Sequence, residues 1–157
     1  MKKITPFLWF NDEAEAAAKF YTSVFKGSKI RSVTRYGKGM PGKAGSVMTV
    51  SFRILDQEFT ALNGGPAFKI TPAVSFVVHC QTQREVDLYW KKLTAGGREV
   101  QCGWLEDKFG VSWQIVPDAM IDLLNDKDQA KVERVTRALM QMVKLDLRQL
   151  RAAAAKK

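Results

Sequence analysis

The sequence repeats one order of predicted secondary structure in its two halves, and this repeat limits its possible folds more than any other feature. Alternation of apolar and polar residues and helical spacing predict, in the first half, a strand at 4–10, a helix ending near 25, and strands at 29–36, 46–55 and 57–62. In the second half they predict a strand at 73–79, a helix at 83–93, and strands at 98–102, 104–107 and 111–116. Aligning the halves places Phe20–Phe25 on Leu88–Leu93 and Thr60 on Gln114. Such a degenerate repeat predicts an α+β fold of two paired β-α-β-β-β modules.

Composition favours a single globular domain or two small modules that share a core, since the 157 residues are 46% hydrophobic. No apolar run approaches the ~18 residues of a membrane span, and no signal-peptide pattern opens the chain, so we expect a cytoplasmic protein without a membrane partner.

Cys80 and Cys102 match no disulfide or metal spacing, which predicts two reduced thiols. The net charge of +9 comes from scattered Lys and Arg without a recognition motif, so no nucleic-acid partner is expected.

Local patterns give further expectations about loops, caps and the C-terminal segment. Asn11 or Asp12 is predicted to cap the first helix, and the glycine-rich stretch 37–45 is either a hairpin connection or a lid over a pocket. Asp107 and Lys108 predict a solvated turn. After Pro117, apolar residues at helical spacing predict helices that begin near 128 and after 146, which cover a sheet face or form a dimer contact.

The stretch 101–117 contains a polar residue that points to a cavity. Around a tight turn, the second of its two strands places Ser112, Gln114 and Val116 on one face and Trp113 on the other, among core residues. An amide between two hydrophobic residues is unfavourable in a dry core unless a partner satisfies it. Gln114 therefore predicts a strand that faces a cavity.

Five blocks in the same order carry a family resemblance: FLWFNDEAEAAAKFY, ALNGGPAFKIT, QCGWL, FGVSWQIVP and ALMQMVKLDLRQL. Together they resemble the PhnB-like branch of the glyoxalase/bleomycin-resistance (vicinal oxygen chelate) superfamily, a branch also labelled 3-demethylubiquinone-9 3-methyltransferase-like. The resemblance implies one domain at 1–157, with β-α-β-β-β modules at 1–66 and 72–117 and a C-terminal helical extension at 118–157. We also expect a homodimer.

In the resembled superfamily, His or Glu at four cavity-facing positions usually hold a divalent metal ion. The resemblance places these positions at or near Thr5, Thr60, Val74 and Gln114, none of which is His, Cys, Asp or Glu. A divalent metal requires about three or four strong donors, and the single histidine, His79, cannot supply them alone. We therefore expect no metal and no cofactor. Methyl transfer is not expected either, because no glycine-rich turn follows the first strand.

The remaining prediction is an aromatic, partly polar cavity that binds a small molecule. Its predicted lining is Thr5, Phe7, Trp9, Thr60, Asn63, Trp104, Phe109 and Gln114. Trp9 and Trp104 could equally be core residues, and Cys102 has no neighbour in the sequence that would activate it as a nucleophile. Two alternatives stay open. One is a metal-dependent glyoxalase- or dioxygenase-type enzyme with unusual ligands from His79, Glu58 or Glu99, and the other is a structural or regulatory dimer with a vestigial cavity.

Overall fold

The computed structural model describes residues 4–156 and divides the chain into two compact units, Met1–Ile70 and Thr71–Lys157. Each unit contains a four-stranded mixed sheet with a helix packed on it. The predicted fold class, α+β with two β-α-β-β-β modules, is therefore confirmed. Among the described residues, no helix is long and apolar enough to cross a membrane.

The first unit is built from β1 (Phe7–Phe10), α1 (Ala14–Val24), β2 (Lys29–Arg35), β3 (Val47–Ile54) and β4 (Gln57–Asn63). Its strand order is β1-β4-β3-β2, with β1 parallel to β4 and the other pairs antiparallel. Three buried alanines of α1 allow the helix to approach the sheet closely, and Tyr21 stacks on Phe52 with ring centroids 6.1 Å apart. One face of this sheet is thus covered by α1.

The second unit repeats this arrangement with β5 (Ser75–Cys80), α2 (Gln83–Leu93), β6 (Arg98–Glu99), β7 (Trp104–Glu106) and β8 (Ser112–Pro117). Its order is β5-β8-β7-β6, with β5 parallel to β8. Thr82 and Glu85 form a capping box that begins α2, and Val86, Trp90 and Leu93 of this helix are buried. The predicted strand 98–102 is shortened to two residues, because the chain reverses over 101–104, where Trp104 N donates to Gln101 O (3.1 Å) and Cys102 and Gly103 adopt positive φ angles (59° and 81°).

The turn between β7 and β8 is organised by a buried carboxylate, so the prediction of a solvated turn is wrong for Asp107. Only 2% of Asp107 is exposed. Its Oδ1 accepts hydrogen bonds from the backbone N–H groups of Phe109 (2.8 Å) and Val111 (3.1 Å), and its Oδ2 accepts from Trp113 Nε1 (2.8 Å). The carboxylate thus links the turn to Trp113. This residue is 3% exposed and lies in the core, as the alternation predicted.

The C-terminal extension contains α3 (Asp118–Leu124), α4 (Gln129–Leu139) and α5 (Leu147–Ala155). Its helices enclose a buried cluster with the end of β8, composed of Val116, Met120, Val135, Met142, Leu145 and Leu150. The segment between α4 and α5 also holds the loop before β7, because Cys102 N donates to Met142 O and Gly103 N to Val143 O (both 2.8 Å). The extension therefore belongs to the core of the second unit.

Candidate functional site

The face of the first sheet that points away from α1 is rich in hydroxyl groups. Burial alternates along β3 and β4, so Val50, Phe52 and Phe59 pack toward α1 while the residues between them point to the opposite face. Cross-strand pairing connects the hydroxyl-bearing residues of this open face, which are Ser32, Thr34, Thr49, Ser51 and Thr60. Thr34 and Thr49 share a hydrogen bond of 2.6 Å between their hydroxyls. Phe7 and Trp9 extend the same face across β1.

A concavity of about 770 Å³ opens on this face. It is lined by Thr5, Ser51, Arg53, Asp56, Glu58, Phe59 and Thr60. The structure therefore brings Thr5 and Thr60, two of the predicted site residues, to one place. The Nε of Arg53 is buried and has no hydrogen-bond partner among the described residues. Glu58, by contrast, accepts a long hydrogen bond from Arg31 (3.4 Å).

Trp9 is held by the turn that follows β4, whereas Phe7 is freely accessible. The indole Nε1 of Trp9 donates to Gly65 O (2.8 Å), and its ring meets Phe68 edge-on with centroids 5.0 Å apart. A Cβ at Gly64 would lie 2.3 Å from the Trp9 ring, so glycine is required there for the ring to pack on the turn. Phe7 is 59% exposed and offers an aromatic surface beside Thr60.

Asn63 serves as the cap of α1, and the prediction that Asn11 or Asp12 provides this cap is wrong. The N-terminal residue of α1, Ala14, donates its N–H to Asn63 Oδ1 (2.7 Å), and no side chain at the N-cap position itself makes a capping bond. The other end of the same amide, Nδ2, donates to Val47 O (3.1 Å). The amide of Asn63 is therefore engaged within the fold, tying α1 and β3 to β4.

We expect Asn63→Ala to lower the free energy of unfolding by about 2 kcal/mol, because it removes a helix cap and a strand tie together. Urea denaturation followed by circular dichroism measures this. The matched control is Asn11→Ala, whose side chain is exposed and makes only a 3.4 Å contact to Asp12. Equal losses in the two variants would contradict the assignment of the cap.

In the second sheet, the side-chain amide of Gln114 has a hydrogen-bond partner. Its Nε2 donates to Ser75 Oγ (2.9 Å), and its cross-strand neighbours are Val77 and Trp104. Val77 is 45% exposed and Trp104 is half-buried, so this row combines a satisfied amide with apolar surface. Phe109 lies apart in the β7–β8 turn, with Lys108 Nζ 5.3 Å from its ring centroid.

The residues at the four transferred positions do not fit a divalent metal ion. They supply two hydroxyls, one amide already bonded to Ser75, and an exposed aliphatic residue, Val74. Within residues 4–156, no three His, Cys, Asp or Glu side chains come together in a way that could hold a metal. His79 instead lies 3.1 Å from Asp118, at a half-exposed site. Both cysteines are free, and burial raises the pKa of Cys80 to about 12, so its thiol stays protonated.

Sequence analysis missed Ser51 and Arg53, although a signal for them was present. In β3 the sequence Thr-Val-Ser-Phe-Arg-Ile alternates polar with apolar residues, which places Thr49, Ser51 and Arg53 on the open face. The same alternation that identified Gln114 would have identified these residues.

The chain is similar to known proteins over nearly all of its two modules. Residues 2–116 match the family described as 3-demethylubiquinone-9 3-methyltransferase. A PhnB protein from Bacillus cereus is 40% identical, with a TM-score of 0.68 over 74% of this chain and 99% of that one. A Pseudomonas aeruginosa protein, PA1353, is 20% identical (TM-score 0.62; 74% and 98%), and the fosfomycin resistance protein FosX of Listeria monocytogenes is 13% identical (0.57; 80% and 98%). These last two likenesses show the fold alone. No protein of curated function matches significantly.

Proposed function

This chain belongs to the family described as 3-demethylubiquinone-9 3-methyltransferase, the PhnB-like branch of the vicinal oxygen chelate superfamily, and we propose that it binds a small molecule without a metal ion. The proposed site is an aromatic, partly polar cavity. The observation that carries the proposal is the open face of the first sheet, where hydroxyls line a concavity of about 770 Å³ and the exposed ring of Phe7 lies on the neighbouring strand, paired with Thr60. Pockets of this kind and size suit small organic ligands.

The chemistry of the lining supports binding in preference to metal chemistry. Thr5, Thr60 and Ser51 offer hydroxyls that orient a ligand by donating or accepting hydrogen bonds. Phe7 offers a flat apolar surface that a ligand ring can stack on. The lining also contains two carboxylates, Asp56 and Glu58, but within residues 4–156 no three His, Cys, Asp or Glu side chains come together in a way that could hold a metal ion.

The open face of the second sheet carries a comparable set of groups. Gln114 presents an amide whose carbonyl can accept a hydrogen bond while its Nε2 remains bonded to Ser75. Trp104, its cross-strand neighbour, and Phe109 in the adjacent turn are only half-buried, so part of each ring is accessible. We include these three residues in the proposed binding surface of that unit.

The proposal does not include methyl transfer. A methyl donor usually binds to a glycine-rich turn between the first strand and helix of a doubly wound sheet. Here β1 leads into α1 through Asn11, Asp12 and Glu13, and the sheet order β1-β4-β3-β2 is not doubly wound. The family description therefore indicates only which proteins this chain is related to, and we do not propose the methyl transfer that the description names.

We also propose that the protein is a cytoplasmic homodimer. Free Cys80 and Cys102 suit a reducing compartment. Exposed apolar side chains on the open faces, such as Phe7 in the first unit and Val77 in the second, are typical of surfaces that another protein covers. Sedimentation of the protein at two concentrations tests the oligomeric state.

We expect a panel of small aromatic ligands to include at least one that binds and quenches tryptophan fluorescence, and Phe7→Ala to weaken it about fivefold to tenfold. This loss corresponds to about 1–1.4 kcal/mol for one aromatic contact. Fluorescence titration of the untagged protein measures the affinity. Leu88→Ala is the control, since Leu88 is also an exposed apolar residue (45%) but lies on the exposed side of helix α2.

The same titration with and without EDTA separates the proposal from the enzyme alternative. Metal-independent binding predicts affinities that agree within about twofold in the two buffers. Elemental mass spectrometry of untagged protein gives the metal content directly. About one bound metal per chain, together with loss of ligand binding in EDTA, would overturn the proposal in favour of a metal-dependent enzyme with unusual ligands.

A further inference from the structure

We infer that the concavity of the first sheet is a binding site for a small carboxylate, with Arg53 as the residue that holds the carboxylate group. The inference rests on the proposed function and adds the chemical class of the ligand. The starting observation is that the side chain of Arg53 has a hydrogen-bond donor without an acceptor in the described part of the chain. The Nε of Arg53 is buried, and no described residue accepts a hydrogen bond from it.

Arg53 is half-buried as a whole, and its Nε is unusual because buried N–H donors in proteins nearly always have a hydrogen-bond partner. Leaving a buried donor unsatisfied costs about 1–3 kcal/mol. Arg53 could have been paired with Glu58, its cross-strand neighbour on β4. The carboxylate of Glu58 instead bonds to Arg31, and no ion pair joins Arg53 to any carboxylate in residues 4–156.

The groups around Arg53 are suited to an oxyanion. A guanidinium presents its N–H donors as a planar fork that matches the two oxygens of a carboxylate. Ser51, two positions before Arg53 on the same face of β3, and Thr60, the cross-strand partner of Ser51, add hydroxyl donors, and Thr5 lines the same concavity. A carboxylate there would satisfy Arg53 and still leave Phe7 for the rest of the ligand.

Two carboxylates limit the charge that the site accepts. Asp56 lies in the β3–β4 turn and Glu58 follows it, and both line the concavity. The positive charge of Arg31 offsets that of Glu58 only in part, since the pair is separated by 3.4 Å and is solvent-exposed. A ligand with one negative charge is therefore favoured over a doubly charged phosphate.

The test compares benzoate with benzamide, which have the same shape and differ in charge. Binding is followed by ¹H–¹⁵N NMR at the backbone amides of Ser51, Arg53 and Thr60. We expect benzoate to bind about tenfold tighter than benzamide, the effect of one charge-assisted hydrogen-bonded contact. Arg53→Gln should abolish this preference. Arg35→Gln, which removes the same charge from an exposed residue of β2 that bonds to Gly45 O, should retain it.

Each outcome decides the inference. Equal affinities for benzoate and benzamide, or a preference that survives in Arg53→Gln, would overturn it while leaving aromatic ligand binding intact. Acetate is tested separately, so that shifts at these amides report on Arg53 even if neither aromatic probe binds and the proposed function fails. Tighter binding of inorganic phosphate than of acetate would overturn the choice of a carboxylate. Arg53→Lys, which keeps the charge but loses the fork, should fall between wild type and Arg53→Gln, and the NMR spectrum itself shows that each variant is folded.

Discussion

Replacing Asp107 by alanine is expected to lower the free energy of unfolding of the second unit by about 3–5 kcal/mol. Asp107 is 2% exposed and accepts three hydrogen bonds, from the N–H groups of Phe109 and Val111 and from Trp113 Nε1. Its loss leaves buried donors without an acceptor, at about 1–3 kcal/mol each, and these costs are not fully additive. Urea denaturation monitored by circular dichroism gives the change.

Two variants separate this effect from a simple loss of negative charge. Asp107→Asn keeps the shape but replaces one acceptor oxygen by an NH₂ group, so we expect about half the loss. Asp122→Ala removes a carboxylate from an exposed position of α3 and should stay within about 0.5 kcal/mol of wild type. A loss below about 1 kcal/mol for Asp107→Ala would show that the carboxylate does not organise the turn.

The fold could be predicted from the sequence because its signals are local and occur twice. Helix α2 begins and ends at the predicted residues, since the capping box of Thr82 and Glu85 lies next to the helix it starts. Alternation likewise placed Trp113 in the core and Gln114 on the opposite face. Features that depend on neighbouring residues in the chain were therefore predicted well.

Features that depend on distant residues were not predictable in the same way. The cap of α1 comes from Asn63, 49 residues away, although two good cap residues, Asn11 and Asp12, lie directly before the helix. Asp107 and Lys108 have the composition of a surface turn, and only the packing of the turn shows that the carboxylate is buried. Long-range hydrogen bonds of this kind leave no periodic pattern in the sequence.

The candidate site falls between these two cases. Thr5 and Thr60 could be proposed from the repeat and the resemblance, and both line the concavity of the first sheet. The position of Arg53 on the open face could be predicted from the alternation in β3. The absence of a hydrogen-bond partner for its Nε within residues 4–156 could not, because it depends on Glu58 bonding to Arg31. The carboxylate binding that we infer therefore depends on which of the two arginines, Arg31 or Arg53, bonds to Glu58, and only the structure shows that it is Arg31.

Leu145→Ala is expected to destabilise the second unit by about 2–5 kcal/mol, the range for a buried leucine whose removal leaves a cavity. Leu145 is 0% exposed, in the cluster that joins the C-terminal helices to the end of β8. It also packs against Gly103, where an added Cβ would lie 2.9 Å from Leu145 Cγ. The backbone around it is held in place by Gln83, whose Nε2 donates to Leu145 O (3.0 Å), so the site has little freedom to collapse.

Leu88→Ala is the matched control, because this leucine of α2 is 45% exposed and its truncation should cost less than about 1 kcal/mol. Hydrogen exchange at the backbone amides of β8 locates the effect, and faster exchange is expected there in Leu145→Ala alone. If Leu145→Ala were no more destabilising than Leu88→Ala, the C-terminal helices would be an appendage and not part of the core. The expected result would instead mean that the module ending at β8 depends for its stability on helices that lie beyond the family match, which ends at residue 116.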